Sequence, residues 1–268
     1  MNDVRTGTLQ VPGACLNYEV RGTGPLLLMI PGAPADAGAL AGLAAGLSDR
    51  YTVVTYDQRG LSRSTLTGPP ADQDVAVFSA DAHRLLTVLG DEPAYVLGNS
   101  GGALTALDLA VRHPERVRAV VAHEPPIPEL LPDREHWRAA FQDVYDTYHR
   151  QGPGAAMGKF VATVEGETGT PPAMPDFSQM PPEALEMMGR IQRNLDHFLA
   201  HILLPALRSG PVPVAVGVGA ASGDGVPALS ARVLAERLGV EPLSFPGDHQ
   251  GLASDVAGCA EIIHTAFA

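Results

Sequence analysis

Only two cysteines, Cys15 and Cys259, occur in 268 residues. Thiols so few and so far apart in sequence give neither a disulfide framework nor a zinc-binding spacing, and both are expected to be buried. Lysine is nearly missing, with Lys159 alone, and acidic side chains outnumber basic ones by 30 to 18. The resulting formal charge of -12 argues against a nucleic-acid partner, which needs a basic surface. No apolar stretch approaches the roughly 20 residues of a membrane span, and no apolar run follows Met1-Asn2-Asp3-Val4-Arg5. A cytoplasmic protein with no membrane partner is the expectation. Oligomeric state is not encoded in any pattern here.

What is present is globular in composition: 45% hydrophobic against 18% charged residues, long enough for one large α/β domain or for one carrying an inserted lid. Thr8 to Val11 and Cys15 to Val20 alternate around Pro12-Gly13-Ala14 and predict an opening β-hairpin. Leu26-Leu27-Leu28-Met29-Ile30 is a continuous apolar run, the pattern of a strand buried on both faces, and it stops at Pro31-Gly32. A helix over 36–47 and a strand over 51–56 follow, then the polar turn Asp57-Gln58-Arg59-Gly60, in which Asp57 and Arg59 are expected to pair and hold the turn. Further elements are a helix over 72–89, strands over 94–97 and 117–122, a strand over 212–218, a helix over 226–238, a strand over 241–245 and a helix over 252–267.

Strands alternating with helices imply a mostly parallel, doubly wound sheet, since parallel neighbours need crossover connections. Between 127 and 210 the rhythm changes to helices broken by Pro and Gly, with Trp137, Phe141, Tyr145 and Tyr148 at near-helical spacing. This segment is expected as a helical lid on a core formed by 1–126 and 211–268, with 166–182 a flexible connection.

The stretch Ala94-Tyr95-Val96-Leu97-Gly98-Asn99-Ser100-Gly101-Gly102 reads as strand, sharp turn and helix, with Ser100 at the tip. This is a G-x-S-x-G pattern: side chains at 98 and 102 would collide where helix leaves strand, and the first helical N–H groups face the same space as the serine hydroxyl. A glycine-rich phosphate loop is the alternative, but no Lys stands at the P-loop position and G-x-G-x-x-G is missing.

A serine alcohol needs a base. Of nine histidines, His249 lies in the turn between the last strand and last helix, while His83 and His113 fall on helices, His136, His149, His197 and His201 in the lid segment, and His264 near the end. Glu124 follows the strand after the elbow helix and suits the third role, fixing the imidazole tautomer. A metal held by His123, Glu124 and His249 lacks any local spacing motif, so no metal or other cofactor is expected. For the oxyanion, the N–H groups of Gly101 and Ala33 are the expected donors, with Gly32 as alternative to Ala33.

Pro31-Gly32, Tyr56-Asp57-Gln58-Arg59-Gly60, Gly98-Asn99-Ser100-Gly101-Gly102 and Gly247-Asp248-His249 together resemble the α/β-hydrolase superfamily. Most members place the acid after the strand that follows the lid. Ser222 stands there, which leaves Asp224, two residues on, as the alternative acid. The string His123-Glu124-Pro125-Pro126 is similar to that of zearalenone-lactonase-type hydrolases, whose acid is a Glu before the lid. The resemblance implies a serine hydrolase acting on a small-molecule ester or lactone with an apolar acyl or ring portion. A C–C bond hydrolase, an acyltransferase, a haloperoxidase-type activity or a non-catalytic ligand receptor would use the same scaffold.

Overall fold

The computed structural model describes residues 4–32, 35–69, 74–165, 181–182 and 204–268. The chain opens with the hairpin β1 (Arg5–Val11) and β2 (Ala14–Arg21), followed by β3 (Leu26–Ile30), α1 (Ala41–Leu47) and β4 (Thr52–Tyr56). Next come β5 (Thr65–Leu66), α2 (Val75–Leu89), β6 (Ala94–Asn99), α3 (Gly101–Arg112) and β7 (Val117–His123). Then follow α4 (Arg134–Gln151), α5 (Pro153–Glu165), α6 (Leu204–Ser209), β8 (Val214–Gly219), α7 (Val226–Leu238), β9 (Leu243–Phe245), α8 (Gly251–Ser254) and α9 (Val256–Ala266).

The strands form one sheet in the order β1-β2-β4-β3-β6-β7-β8-β9, with the two-residue β5 added to β2. β2 runs antiparallel to β1 and β4, and every pairing from β4 across to β9 is parallel. This is the α/β-hydrolase fold expected from the sequence. The apolar run of β3 divides as a doubly covered strand must: Leu28 and Ile30 join the core beneath α2, α3 and α7, while Leu27 and Met29 join the one beneath α1 and α9.

Four expectations need correction. The helix expected over 36–47 begins as a 3-10 turn, Ala37–Leu40, capped by the Asp36 side chain. The terminal helix is two helices, because the Asp255 carboxylate accepts from the Gly258 N–H and caps a fresh start. Cys259 is buried but Cys15 only half so, since strand alternation gives the interior to Ala14 and Leu16 on either side of it. Asp57 and Arg59 do hold their turn, but not through each other. Asp57 accepts from the Ala37 N–H at 3.0 Å and pairs with Arg63 at 2.7 Å, whereas Arg59 pairs with Asp81 of α2 through two bonds of 2.7 Å.

Between β7 and β8 the described residues contain helices and a 3-10 turn, Pro128–Leu130. Phe141 of α4 is buried and lies 6.2 Å from the Phe160 ring of α5. Most of the expected connection over 166–182, together with His197 and His201, lies outside the described residues.

Candidate active site

Parallel order brings the carboxyl ends of β3, β6, β7, β8 and β9 to one edge, the place where open α/β sheets hold ligands. Ser100 sits there between β6 and α3 with φ 52° and ψ -122°. Positive φ in a non-glycine residue is sterically costly, about 1–3 kcal/mol, and persists only where the surroundings enforce it. The enforcement is visible in the glycines. A Cβ on Gly98 would stand 2.4 Å from the Gly102 oxygen, and one on Gly102 would stand 2.2 Å from the Ile30 oxygen. Gly102→Ala must therefore push α3 off the end of β3, and a loss of about 3 kcal/mol is expected. A urea midpoint unchanged from that of the unmodified chain would refute this account of the elbow.

The next strand ties the elbow down. The Ser100 N–H donates to the His123 oxygen at 2.9 Å, and the His123 Nδ1 lies 2.8 Å from the Asn99 Oδ1. On the other side Gly32 packs directly on the serine, with its would-be Cβ 2.9 Å from the Ser100 Cβ. Gly101 opens α3 beside it. Ala33, the other expected oxyanion donor, lies outside the described residues.

Glu124 follows β7 with φ 47°. Among the described residues, Ser62, Ser100 and Glu124 are the non-glycine positions with positive φ, and two of these three are candidate site residues. The Glu124 N–H donates to the Gly217 oxygen at 3.0 Å, which turns the side chain across the end of β8. There Oε1 accepts from the Gly219 N–H at 2.8 Å, and Oε2 lies 2.6 Å from the His249 Nδ1. His249 is held in reach because its turn is bonded to the loop after β8, the Ala221 N–H donating to the Gly247 oxygen at 2.8 Å.

The structure thus joins His249 to Glu124. Asp224, the alternative acid, is 91% exposed and faces Arg232 at 3.8 Å. Among the described residues no hydrogen bond joins the Ser100 hydroxyl to His249, a contact that commonly tightens only when substrate is bound.

Glu124 is fully buried. Burial alone would raise its pKa, but the hydrogen bond and charge of His249, with a smaller contribution from His123, outweigh it and hold the carboxyl below its usual range.

His123 is the residue whose part the sequence did not disclose. Its ring is fully buried, meets Phe245 edge-on at 5.0 Å and lies 6.4 Å from the His249 ring. Burial, against the pull of Glu124, lowers its pKa to about 4, so it stays neutral where His249 would work. In the unfolded chain an imidazole titrates near 6.5. The unfolded state therefore binds the extra proton first, and stability falls as pH drops from about 6.5 to about 4, by roughly 3 kcal/mol from this residue. His123→Gln should flatten that part of the urea midpoint against pH. An unaltered slope would mean that other groups carry the acid sensitivity.

The sequence profile described as the alpha/beta hydrolase fold matches residues 25–179. The uncharacterized hydrolase YraK of Bacillus subtilis is 37% identical over 249 residues, covering 92% of this chain and 90% of that one. The chain belongs to the α/β-hydrolase family. Over a shorter region, 40% of this chain and 38% of the relative, it is 35% identical to a 2-(acetamidomethylene)succinate hydrolase of Mesorhizobium japonicum. Among solved structures, a hydrolase from Pseudomonas aeruginosa PA01 superposes on this α/β hydrolase with a TM-score of 0.74 at 20% identity, over 97% of both chains. An enol-lactonase from Burkholderia xenovorans gives 0.72 at 19% identity, over 97% of this chain and 99% of that one. At such identity these two likenesses speak to fold only. Among the described residues no helix is long and apolar enough to cross a membrane.

Proposed function

We propose that this α/β hydrolase cleaves a carboxylic ester or lactone through an acyl-enzyme, with Ser100 as nucleophile, His249 as base and Glu124 as the acid that orients it. The observation that carries the reading is the 2.6 Å contact between the Glu124 Oε2 and the His249 Nδ1. With the Nδ1 proton committed to Glu124, the lone pair of Nε2 is free to accept the serine proton. The Ser100 oxygen then attacks the carbonyl carbon. Charge develops on the carbonyl oxygen, which the Gly101 N–H and a second donor from Gly32 or Ala33 stabilise. His249 returns its proton to the leaving alkoxide as the C–O bond breaks. In the second half water gives a proton to His249 as its oxygen attacks the acyl carbon, and His249 passes that proton to the Ser100 oxygen as the acyl C–O bond breaks.

An apolar acyl or ring portion is favoured by the aromatic side chains of α4, and a ring substrate by the likeness of the His123-Glu124-Pro125-Pro126 string to that of zearalenone-lactonase-type enzymes. No metal or redox cofactor enters this scheme. The test is a panel of alkyl esters and macrolactones, with products identified by mass over many turnovers. Release of acid and alcohol, or of the opened hydroxy acid, supports the reading. Products of C–C cleavage or acyl transfer replace it with those reactions, and a single turnover at most on every substrate replaces it with a ligand receptor.

A further inference from the structure

The end of α3 remote from Ser100 carries a second group of side chains with ligand chemistry. His83 on α2, His113 just beyond α3 and Glu115 in the following 3-10 turn each offer one donor atom, and the three donors lie within 4.8 Å of one another. The imidazoles are stacked, with centroids 3.8 Å apart and planes 14° from parallel. The His113 Nδ1 is 3.7 Å from the Glu115 Oε1, too far for a hydrogen bond. Among the described contacts neither ring nitrogen of His83 has a hydrogen-bond partner, so donors that meet here are not spent on one another.

The cluster is also rigidly mounted. Arg116, directly after Glu115, donates to the Leu86 oxygen at 2.9 Å, to the Asp91 oxygen at 2.7 Å and to the Gly90 oxygen. These bonds fasten the turn bearing His113 and Glu115 to the end of the helix bearing His83.

We propose that His83, His113 and Glu115 form a binding site for a divalent transition metal of the zinc type, completed by water. Two imidazoles and one carboxylate suit Zn²⁺, Ni²⁺ or Cu²⁺ and do not suit Mg²⁺ or Ca²⁺, which take oxygen ligands. Tetrahedral zinc with bonds of about 2.0 Å needs donors about 3.3 Å apart. Lone pairs lie in the ring planes, and planes only 14° apart do not bring them together on one ion, so His113, the ring at the chain turn, must rotate about its Cβ–Cγ bond. That torsion is broad for histidine. The ion would pin α2 to the end of α3. It would take no part in chemistry at Ser100, since α3 is 12 residues long and rises about 18 Å from one site to the other.

The experiment is calorimetric titration of the metal-free, full-length protein with ZnCl₂, paired with thermal unfolding and with the visible spectrum of added Co²⁺. One equivalent is expected to bind, raise Tm and give tetrahedral Co²⁺ bands. His113→Asn and His83→Gln should each weaken binding at least tenfold, and Glu115→Gln, at an exposed position, should weaken it without disturbing the fold. Chelation should lower Tm and leave ester turnover as it was, so the result does not depend on the proposed reaction. MgCl₂ should do nothing. Absence of zinc binding overturns the proposal. So does binding that persists in all three variants and is lost in His249→Ala, which would assign the ion to the other histidine site.

Discussion

Ser100→Ala should leave a folded protein whose kcat is lower by about a millionfold, the scale of loss when the nucleophile of a serine triad is removed. The hydroxyl is the only group lost, and the backbone that presents it is fixed independently, by the Ser100 N–H on the His123 oxygen and by the helix that begins at Gly101. Stability should consequently change little. A companion variant separates chemistry from strain. Ser100→Gly also lacks the hydroxyl but tolerates φ 52°, so it should be as inactive as the alanine variant and more stable by about 1 kcal/mol. Steady-state turnover of a responsive ester, together with urea midpoints, checks both halves. Near-native turnover by a folded Ser100→Ala protein would end the serine-hydrolase reading.

What was legible in the sequence followed from local pattern, and what was hidden depended on distant contacts. The Leu26–Ile30 strand declared itself because burial on both faces leaves no polar position, and the elbow because Gly98 and Gly102 sit where a Cβ would strike backbone. The limits of α7 also follow from periodicity. The start of α2 does not: expected at 72, the helix begins at Val75, because Asp74 is extended and its carboxylate caps the helix by accepting from the Ala76 N–H. Asp57 and Arg59 could not be read correctly, since their partners Arg63, Ala37 and Asp81 are chosen by the packing of separate elements. β5 is only two residues long, too short for any alternation to register. The Gly219 N–H that holds Glu124 belongs to a strand 95 positions away and has no side chain to announce it. His123 was visible as a polar residue ending a strand, yet its bond to Asn99 exists only because β6 and β7 are in register at that pair.

That same Gly219 contact makes Glu124→Gln the sharper test of the acid. In the native residue Oε1 accepts from the Gly219 N–H and Oε2 faces the His249 Nδ1. An amide has one oxygen and one NH₂ group. If the NH₂ turned towards Gly219, donor would meet donor at a fully buried position, so the oxygen must stay there and the NH₂ must face His249. His249 can meet that donor only with a bare Nδ1, which moves its own proton to Nε2, the atom that should accept the serine proton. The fold is preserved and the tautomer is wrong, and kcat should fall about ten-thousandfold. Asp224→Asn, by contrast, alters a side chain that is 91% exposed and 3.8 Å from Arg232, and should cost less than about twofold. Both variants belong in the same ester assay as the parent chain, with urea midpoints to show that each is folded. Normal turnover by Glu124→Gln beside a crippled Asp224→Asn would transfer the acid to the loop after β8 and remove the main support for a lactonase-type site.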